Sequence, residues 1–282
     1  MSQLSNISIV IPFNGQQSDL HRQLKALSEQ RNTPHYEVIV ADNRHDTTSL
    51  SLEGFGIPIR VINCSQISGS SYARNMGAQS SNSTFILFTD ADDICDEYWV
   101  GEMVRQLSAN RECIISGAVL REKLSGEVVA SVRLPKKFGQ EFAATTNLGL
   151  TREVFDRVGG FNLSYIRGQD VDFSWRAREH GIALKFLPSA RVTYSRRSNM
   201  KLRASQNYGW GCADALLFRD YPRARLGFAL DSISKALICI PLLVLQIFSA
   251  RGRSYLCAVG ACLLGRLRGG LLDYYHESNL YR

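Results

Sequence analysis

Apolar positions along the first ninety residues arrive in short bursts, separated by stretches with helical spacing. Residues 7–13 read Ile-Ser-Ile-Val-Ile-Pro-Phe, a β-branched run closed by Pro12, which predicts a buried strand ending in a loop. Leu20, Leu24 and Leu27 then recur at helical spacing ahead of the breaker Asn32-Thr33-Pro34. Residues 37–41 predict a second buried strand, ending on Asp42-Asn43. A third strand at 59–63, a helix over about 69–79 and a fourth strand at 84–89 follow, the last running directly into Asp90-Ala91-Asp92-Asp93. Strand and helix alternating through short connections predict an α/β fold, a mostly parallel sheet with helices on both faces. In such sheets ligands collect beyond the carboxyl ends of the strands, where Pro12, Asp42 and Asp90 all fall.

Beyond residue 94 the pattern loosens. It predicts a helix near 97–108, strands at 113–120 and 127–134, a turn-rich region at Gly159-Gly160 and a helix beginning near Asp170. The last third changes texture. Residues 236–250 and 254–265 carry no charge, and Pro241 interrupts the first run. Both are shorter than the roughly 20 apolar residues that span a bilayer. Arg223, Arg225, Lys235, Arg251, Arg253, Arg266 and Arg268 flank them. Apolar helical stretches with basic flanks predict helices lying in a membrane interface. The competing expectation is a helical hairpin packed on the main domain or at a homodimer contact.

Charge supports that division. Residues 186–282 hold 14 Lys/Arg and 5 Asp/Glu, a net +9, while residues 1–185 hold 19 and 21, a net −2. The basic character belongs to the last third and suits an anionic surface: a membrane, a phosphorylated ligand or nucleic acid. Lipid fits the apolar runs better, and the tail has no nucleic-acid motif. With 282 residues, 45% of them hydrophobic, the chain is large enough for one α/β core and a small appendage. Its seven cysteines are scattered and form no Cys-x-x-Cys pair, which predicts reduced, mostly buried thiols. The first six residues are short and polar, so no targeting segment is read there and a cytoplasmic protein is expected.

The central chemical constellation is Asp90 with Asp92. Carboxylates two residues apart at the end of a buried strand can converge on one hard cation. Mg²⁺ or Mn²⁺ prefers such oxygen ligands and commonly shares them with substrate phosphates. Three further blocks accompany this loop. They are residues 7–12 with 36–42; Ala73-Arg-Asn-Met-Gly77; and Val158-Gly-Gly-Phe161 with Gly168-Gln-Asp-Val-Asp-Phe-Ser-Trp-Arg176. Taken in order, the four blocks resemble the GT-A-fold glycosyltransferases of family 2, over residues 7 to about 185.

That resemblance implies a nucleotide-sugar-binding and catalytic domain over 1–200 and a helical region over 201–282, membrane-associating or dimerising. It implies a UDP-, GDP- or dTDP-sugar donor and a glycan or lipid-linked glycan as acceptor. It further implies inverting transfer, assisted by Mn²⁺ or Mg²⁺, at the inner face of the cell membrane. Asp42 resembles the acidic residue that bonds the nucleotide base, with Pro12 and Phe13 lining the same pocket. Arg74 resembles the arginine that approaches the nucleotide, and Asp90 and Asp92 the metal-binding pair, Asp92 being the more direct ligand. Asp170 corresponds to the base. Where the family usually has Glu-Asp this chain has Gln169-Asp170, and an amide cannot accept the proton. Asp172 and Arg176, four apart, are expected to pair structurally. Many relatives carry a histidine where the stretch 190–197 here offers Tyr194, leaving Arg196 and Arg197 to meet the diphosphate charge. Tyr208 and Trp210 are candidates for an apolar platform under a sugar or lipid carrier, or for packing. Two other functions share the sheet: a nucleotide-sugar-binding protein without turnover, and a nucleotidyltransferase. The second would call for a basic phosphate loop after the first strand, where the chain has Asn-Gly-Gln-Gln instead.

Overall fold

The structure is a computed structural model that describes residues 6–45, 49–122, 127–194, 200–245, 257 and 259–268. The first part alternates as the apolar bursts predict: β1 (Ile7–Phe13), α1 (Gln17–Ser28), β2 (Glu37–Asp42), β3 (Ile59–Asn63), α2 (Ser70–Gln79) and β4 (Phe85–Phe88). Then follow β5 (Ile94–Cys95), α3 (Trp99–Ala109), β6 (Cys113–Glu122), β7 (Val128–Ala130), and the short pair β8 (Lys136–Lys137) and β9 (Gln140–Glu141). After these come β10 (Leu148–Thr151), α4 (Arg152–Val158), α5 (Gln169–Glu179) and β11 (Ala183–Tyr194).

Among the described residues one large sheet runs in the order β3-β2-β1-β4-β10-β6-β11-β5, with β7 on β6. β1 pairs parallel with β2 and β4, β2 with β3, and β6 with β11. β10 lies antiparallel between β4 and β6. The periodicity gives no sign of this strand. Its four residues are all buried, too few to show a period of two, and they lead straight into a helix. The interior of β11 escapes notice for another reason. Pro188 sits where the register with β6 shifts, between Leu187 and Arg191, so its missing N–H removes no ladder bond. The strand expected at 127–134 is shorter, Val128–Ala130.

Alternation along β1 supplies both cores. Ile7, Ile9, Ile11 and Phe13 pack with Leu20, Leu24 and Leu27 of α1 and with Trp99 and Met103 of α3. Val10 faces the other way, with Ile86 and Phe88 of β4, Phe155 of α4, Phe161 of the following loop and Phe173 of α5. Helix α2 comes close to that face because its inward side is small. Ala73, Gly77 and Ala78 are buried, and a Cβ on Gly77 would collide with the Val10 side chain. The described cysteines are free, with Cys64, Cys95, Cys113 and Cys262 buried.

The chain divides into two compact units, 1–135 with 141–163 and 169–196, and 136–140 with 164–168 and 197–282. The second draws in two earlier segments that no composition change announces. It contains α6 (Met200–Asp220), α7 (Arg225–Leu245) and helical residues 259–268. Pro241 does not interrupt α7. The helix continues to Leu245, because a proline removes one hydrogen bond and crowds one carbonyl while the neighbouring turns keep theirs. Helix α6 approaches residues 259–268 at two glycines. A Cβ on Gly211 would strike the Cys262 carbonyl, and one on Gly265 the Tyr208 carbonyl. Beside this crossing, buried Asp214 accepts from Arg266 at 2.7 and 3.0 Å and pairs with Lys137. The same guanidinium reaches Asp231 at 2.5 Å and lies over Phe228, 4.7 Å from the ring centre.

Candidate active site

The ends of β1 and β2 form the first edge of the site. In their parallel register Pro12 stands beside Ala41 and Phe13 beside Asp42. Pro12 is half-buried, but Phe13 is 1% exposed and belongs to the core. Arg44 lies 5.2 Å over the Phe13 ring. Its guanidinium grips Asp42 with both prongs, Nε to Oδ1 at 2.9 Å and Nη2 to Oδ2 at 2.8 Å. The Arg44 amide adds a bond to Asp42 Oδ1 at 3.1 Å. Asp42 therefore sits in a bidentate pair that its position alone does not reveal, though a basic residue two positions on was a usable signal. Next to it, buried Asn43 donates to the carbonyls of Cys64 and Ile67 and accepts from Gly69 N–H at 2.8 Å. One amide thus ties the end of β2 to the loop that starts α2.

Helix α2 carries Arg74 inward. Its side chain is 3% exposed, and Nη2 donates to Asp90 Oδ1 at 2.5 Å. The surface ion pair one would assign by default is thus a buried one. Nε and Nη1 of Arg74 are buried and find no partner. A guanidinium normally satisfies all its donors when buried, so two idle N–H groups mark a place that an anion would complete. The next residue, Asn75, locks onto a distant block: it accepts from Phe161 N–H and donates to Phe161 C=O, both at 2.8 Å. Arg74 lies 5.8 Å over the same Phe161 ring. Residues 73–77 and 158–161 are separate in sequence and interlocked in space.

The aspartate loop leaves β4 with Thr89 and Asp93 buried and with Asp90 and Asp92 half-exposed. Buried Gln23 of α1 braces it, donating to Thr89 Oγ1 at 2.9 Å and accepting from Cys95 N–H at 3.0 Å. Nothing in the spacing of α1 separates this glutamine from its solvent-facing neighbours. Burial pushes the Cys95 thiol up to about 12, so it is an inert wall of the loop rather than a nucleophile.

Helix α5 opens on Gln169 and Asp170. Gln169 Nε2 donates to Ser70 Oγ at 3.1 Å, joining the starts of α5 and α2, while its Oε1 is buried without a partner. Phe173, one turn on, stacks 4.6 Å from Phe161 and fixes the helix against the sheet. Asp172 and Arg176 pair at 2.8 Å as expected, and Arg176 also caps the Val158 and Gly160 carbonyls. Asp170 accepts from Val171 N–H at 3.0 Å. Burial raises its pKa above the ordinary aspartate value; the Arg74 charge pulls it down and the Asp90 charge pushes it up. A charge is felt in this way only across a short, poorly screened gap. Contacts point the same way: Arg74 is bonded to Asp90, and Gln169, next to Asp170, is bonded to Ser70 at the start of the helix that carries Arg74.

Three further candidates have definite places. Tyr194 ends β11 under the Arg121 guanidinium, 5.2 Å from its ring centre. β11 pairs with β5 through Thr193 and Ile94, so Tyr194 reaches the strand end beside the aspartate loop. Arg196 and Arg197 lie outside the described residues. In the second unit, Tyr208 and Trp210 lie on α6, and residues two apart on a helix point about 200° away from each other, so they do not make one platform. Tyr208 accepts a bond from Arg268 at 2.9 Å, and Trp210 is 45% exposed.

No group of three or more His, Cys, Asp and Glu residues converges into a metal cage among the described residues. Two loop carboxylates, Asp90 and Asp92, are hard oxygen donors that suit a divalent cation completing its shell with phosphate and water. With the idle donors of Arg74 alongside, the residues fit such an ion in company with a diphosphate.

Comparison with known proteins identifies the family and the fold. The family model described as glycosyl transferase family 2 matches residues 8–163. Glycosyltransferase AglE of Haloferax volcanii is 26% identical over 198 residues, covering 66% of this chain and 65% of that protein. The chain spans between 58% and 65% of the length of the first curated relatives it matches. Among solved structures, the mannosyltransferase PcManGT from Pyrobaculum calidifontis, in complex with GDP-Man and Mn²⁺, superposes with a TM-score of 0.64 at 12% identity, over 95% of this chain and 88% of that one. S. aureus TarS in complex with UDP-GlcNAc gives 0.55 at 14% identity, over 72% of this chain and 66% of that one. The family match covers more than half of the chain and takes in β1, β2, α2, the aspartate loop and Gly159-Gly160. The chain has the GT-A architecture and belongs to glycosyl transferase family 2.

Proposed function

We propose that this protein transfers a sugar, with inversion, from a nucleotide-diphosphate donor to a hydroxyl of a glycan or lipid-linked glycan. One observation carries the reading: buried Arg74 pairs with Asp90 of the aspartate loop at 2.5 Å yet keeps two N–H groups without a partner, and the Gln169–Ser70 bond brings the start of α5, where Asp170 lies, to the start of α2, which carries Arg74. The acceptor oxygen forms its bond to the anomeric carbon as the bond from that carbon to the diphosphate oxygen breaks. Asp170 takes the hydroxyl proton during attack, and its raised pKa suits it to that task. Arg74 turns its two idle N–H groups to the diphosphate as negative charge leaves with it. Gln169, which cannot accept a proton, holds α5 to α2 and keeps Asp170 in line. Asp42 bonds an N–H of the nucleotide base from its place beside Phe13 and Arg44. Mn²⁺ or Mg²⁺ held by Asp92 and Asp90 supplies Lewis-acid neutralisation of the leaving diphosphate when bound; the Mn²⁺ and GDP-Man named with PcManGT support this assignment.

The test is a screen of the purified protein with Mn²⁺ against UDP-, GDP- and dTDP-sugars, scoring nucleotide release. Asp170→Asn is expected to abolish transfer while leaving donor binding intact. Asp92→Ala is expected to abolish transfer and to weaken donor binding in the presence of metal. Near-wild-type transfer in both variants would overturn the assignment.

A further inference from the structure

We propose that the exposed face of α7 docks on an anionic lipid surface. Leu226, Leu230, Ile233 and Leu237 are 72%, 59%, 56% and 61% exposed. Their spacing of four, three and four places them in one stripe along the helix. Four large apolar side chains on one face are too many for the scattered exposure of an ordinary surface. On the helix of residues 259–268, Leu264 and Leu267 are exposed as well.

Charge selects the occupant. Arg223 and Arg225 are exposed immediately before the stripe, and Arg268 beside Leu267. Every acid among the described residues of this unit is already matched within it. Asp214 meets Lys137 and Arg266; Asp220 meets Arg219 and Tyr165; Asp231 meets Lys235 and Arg266. A second copy of the chain would offer the rim arginines no unmatched carboxylate from the described residues of this unit. Lipid headgroups bearing phosphate would meet the arginines while the leucines enter the acyl boundary. No described helix is long and apolar enough to cross a membrane, so the contact lies in the interface plane.

The experiment uses the full chain and co-sedimentation with two kinds of vesicle, phosphatidylcholine alone and phosphatidylcholine mixed with phosphatidylglycerol. Partition into the anionic vesicles is expected, weakening as salt is raised. Leu230→Glu with Ile233→Glu is expected to remove it. Arg223→Gln with Arg225→Gln, which leaves the apolar stripe and the fold alone, is expected to lower it about tenfold or more, since each cation near such a surface contributes about fivefold. Circular dichroism checks that both variants remain folded. Equal partition into the two vesicle types, partition into neither, or wild-type partition by either variant would overturn the proposal. So would a dimer in light scattering that the glutamate variant dissolves while vesicles are ignored. The readout needs no sugar donor, so it stands or falls separately from the proposed transfer.

Discussion

Asp170 is held in a place that resists its negative charge. Burial and Asp90 raise its pKa, and Arg74 and the Val171 N–H only partly oppose them. The folded chain thus binds a proton there more readily than the unfolded one. The stability linked to this carboxyl is fully present below its unfolded pKa and is lost as pH rises through the raised folded value. Asp170→Asn is therefore expected to melt above wild type at neutral pH, with the difference shrinking as the buffer is acidified; thermal melts across a pH series decide this. In the proposed transfer the ionised form accepts the acceptor proton, so transfer should fail on the acid side with a midpoint above the ordinary aspartate range. Arg74→Gln removes the cation that holds this pKa down. Its acidic limb should move to higher pH and its rate should drop about a hundredfold, as when one charge-stabilising donor is lost. A pH profile whose limb stays in place would disconnect the two residues.

At the scale of elements, two contacts decide where these side chains go. Helix α2 lies against β1 only because Gly77 is bare opposite Val10. Gly77→Ala should cost about 1–3 kcal/mol through overpacking and weaken donor binding by shifting Arg74. Val10→Ala in that background should recover part of both, and calorimetry with donor titration of the double variant reads the coupling. On the far side of the sheet, buried Asn147 substitutes for ladder bonds at the β11 register shift. It donates to the carbonyls of Ala118 and Ala190 at 2.9 and 3.0 Å and accepts from Trp99 Nε1 at 2.8 Å. Asn147→Ala strands three buried polar groups and should cost about 3 kcal/mol, read as a lower urea midpoint with an unchanged slope.

For the molecule as a whole, the described residues of the second unit hold paired charge in their interior. Asp214 is 1% exposed and answers two cations, Arg266 and Lys137. Asp214→Ala takes from the 4%-exposed Arg266 guanidinium its buried counter-charge, leaving only the more exposed Asp231, and should cost about 3 kcal/mol. Replacing the pair together, Asp214→Leu with Arg266→Met, should recover most of that loss, because removing both charges removes the desolvation penalty too. Far-UV melting of the full chain distinguishes these outcomes. If the single and double variants melted alike, the network would be incidental to the helices it joins.

Local pattern made much of this protein legible. Strands β1 to β4, helices α2, α3 and α5 and the family resemblance follow from runs of apolar residues that a period of two or 3.6 makes visible, and from turn residues between them. Strand ends brought Asp42, Asp90 and Asp92 forward, since these are where a parallel sheet exposes functional groups, and the family resemblance added Arg74 and Asp170. What neither disclosed was partnership. The Asn75 bridge to Phe161, the Gln23 brace, the antiparallel insertion of β10 and the run of α7 through Pro241 each depend on residues far apart in the chain, or on packing that outweighs a local preference. Sequence determined which groups were available and on which elements they sat. Only tertiary structure decided which of them met, because hydrogen bonds, burial and unscreened charge act over a few ångströms of space regardless of separation along the chain.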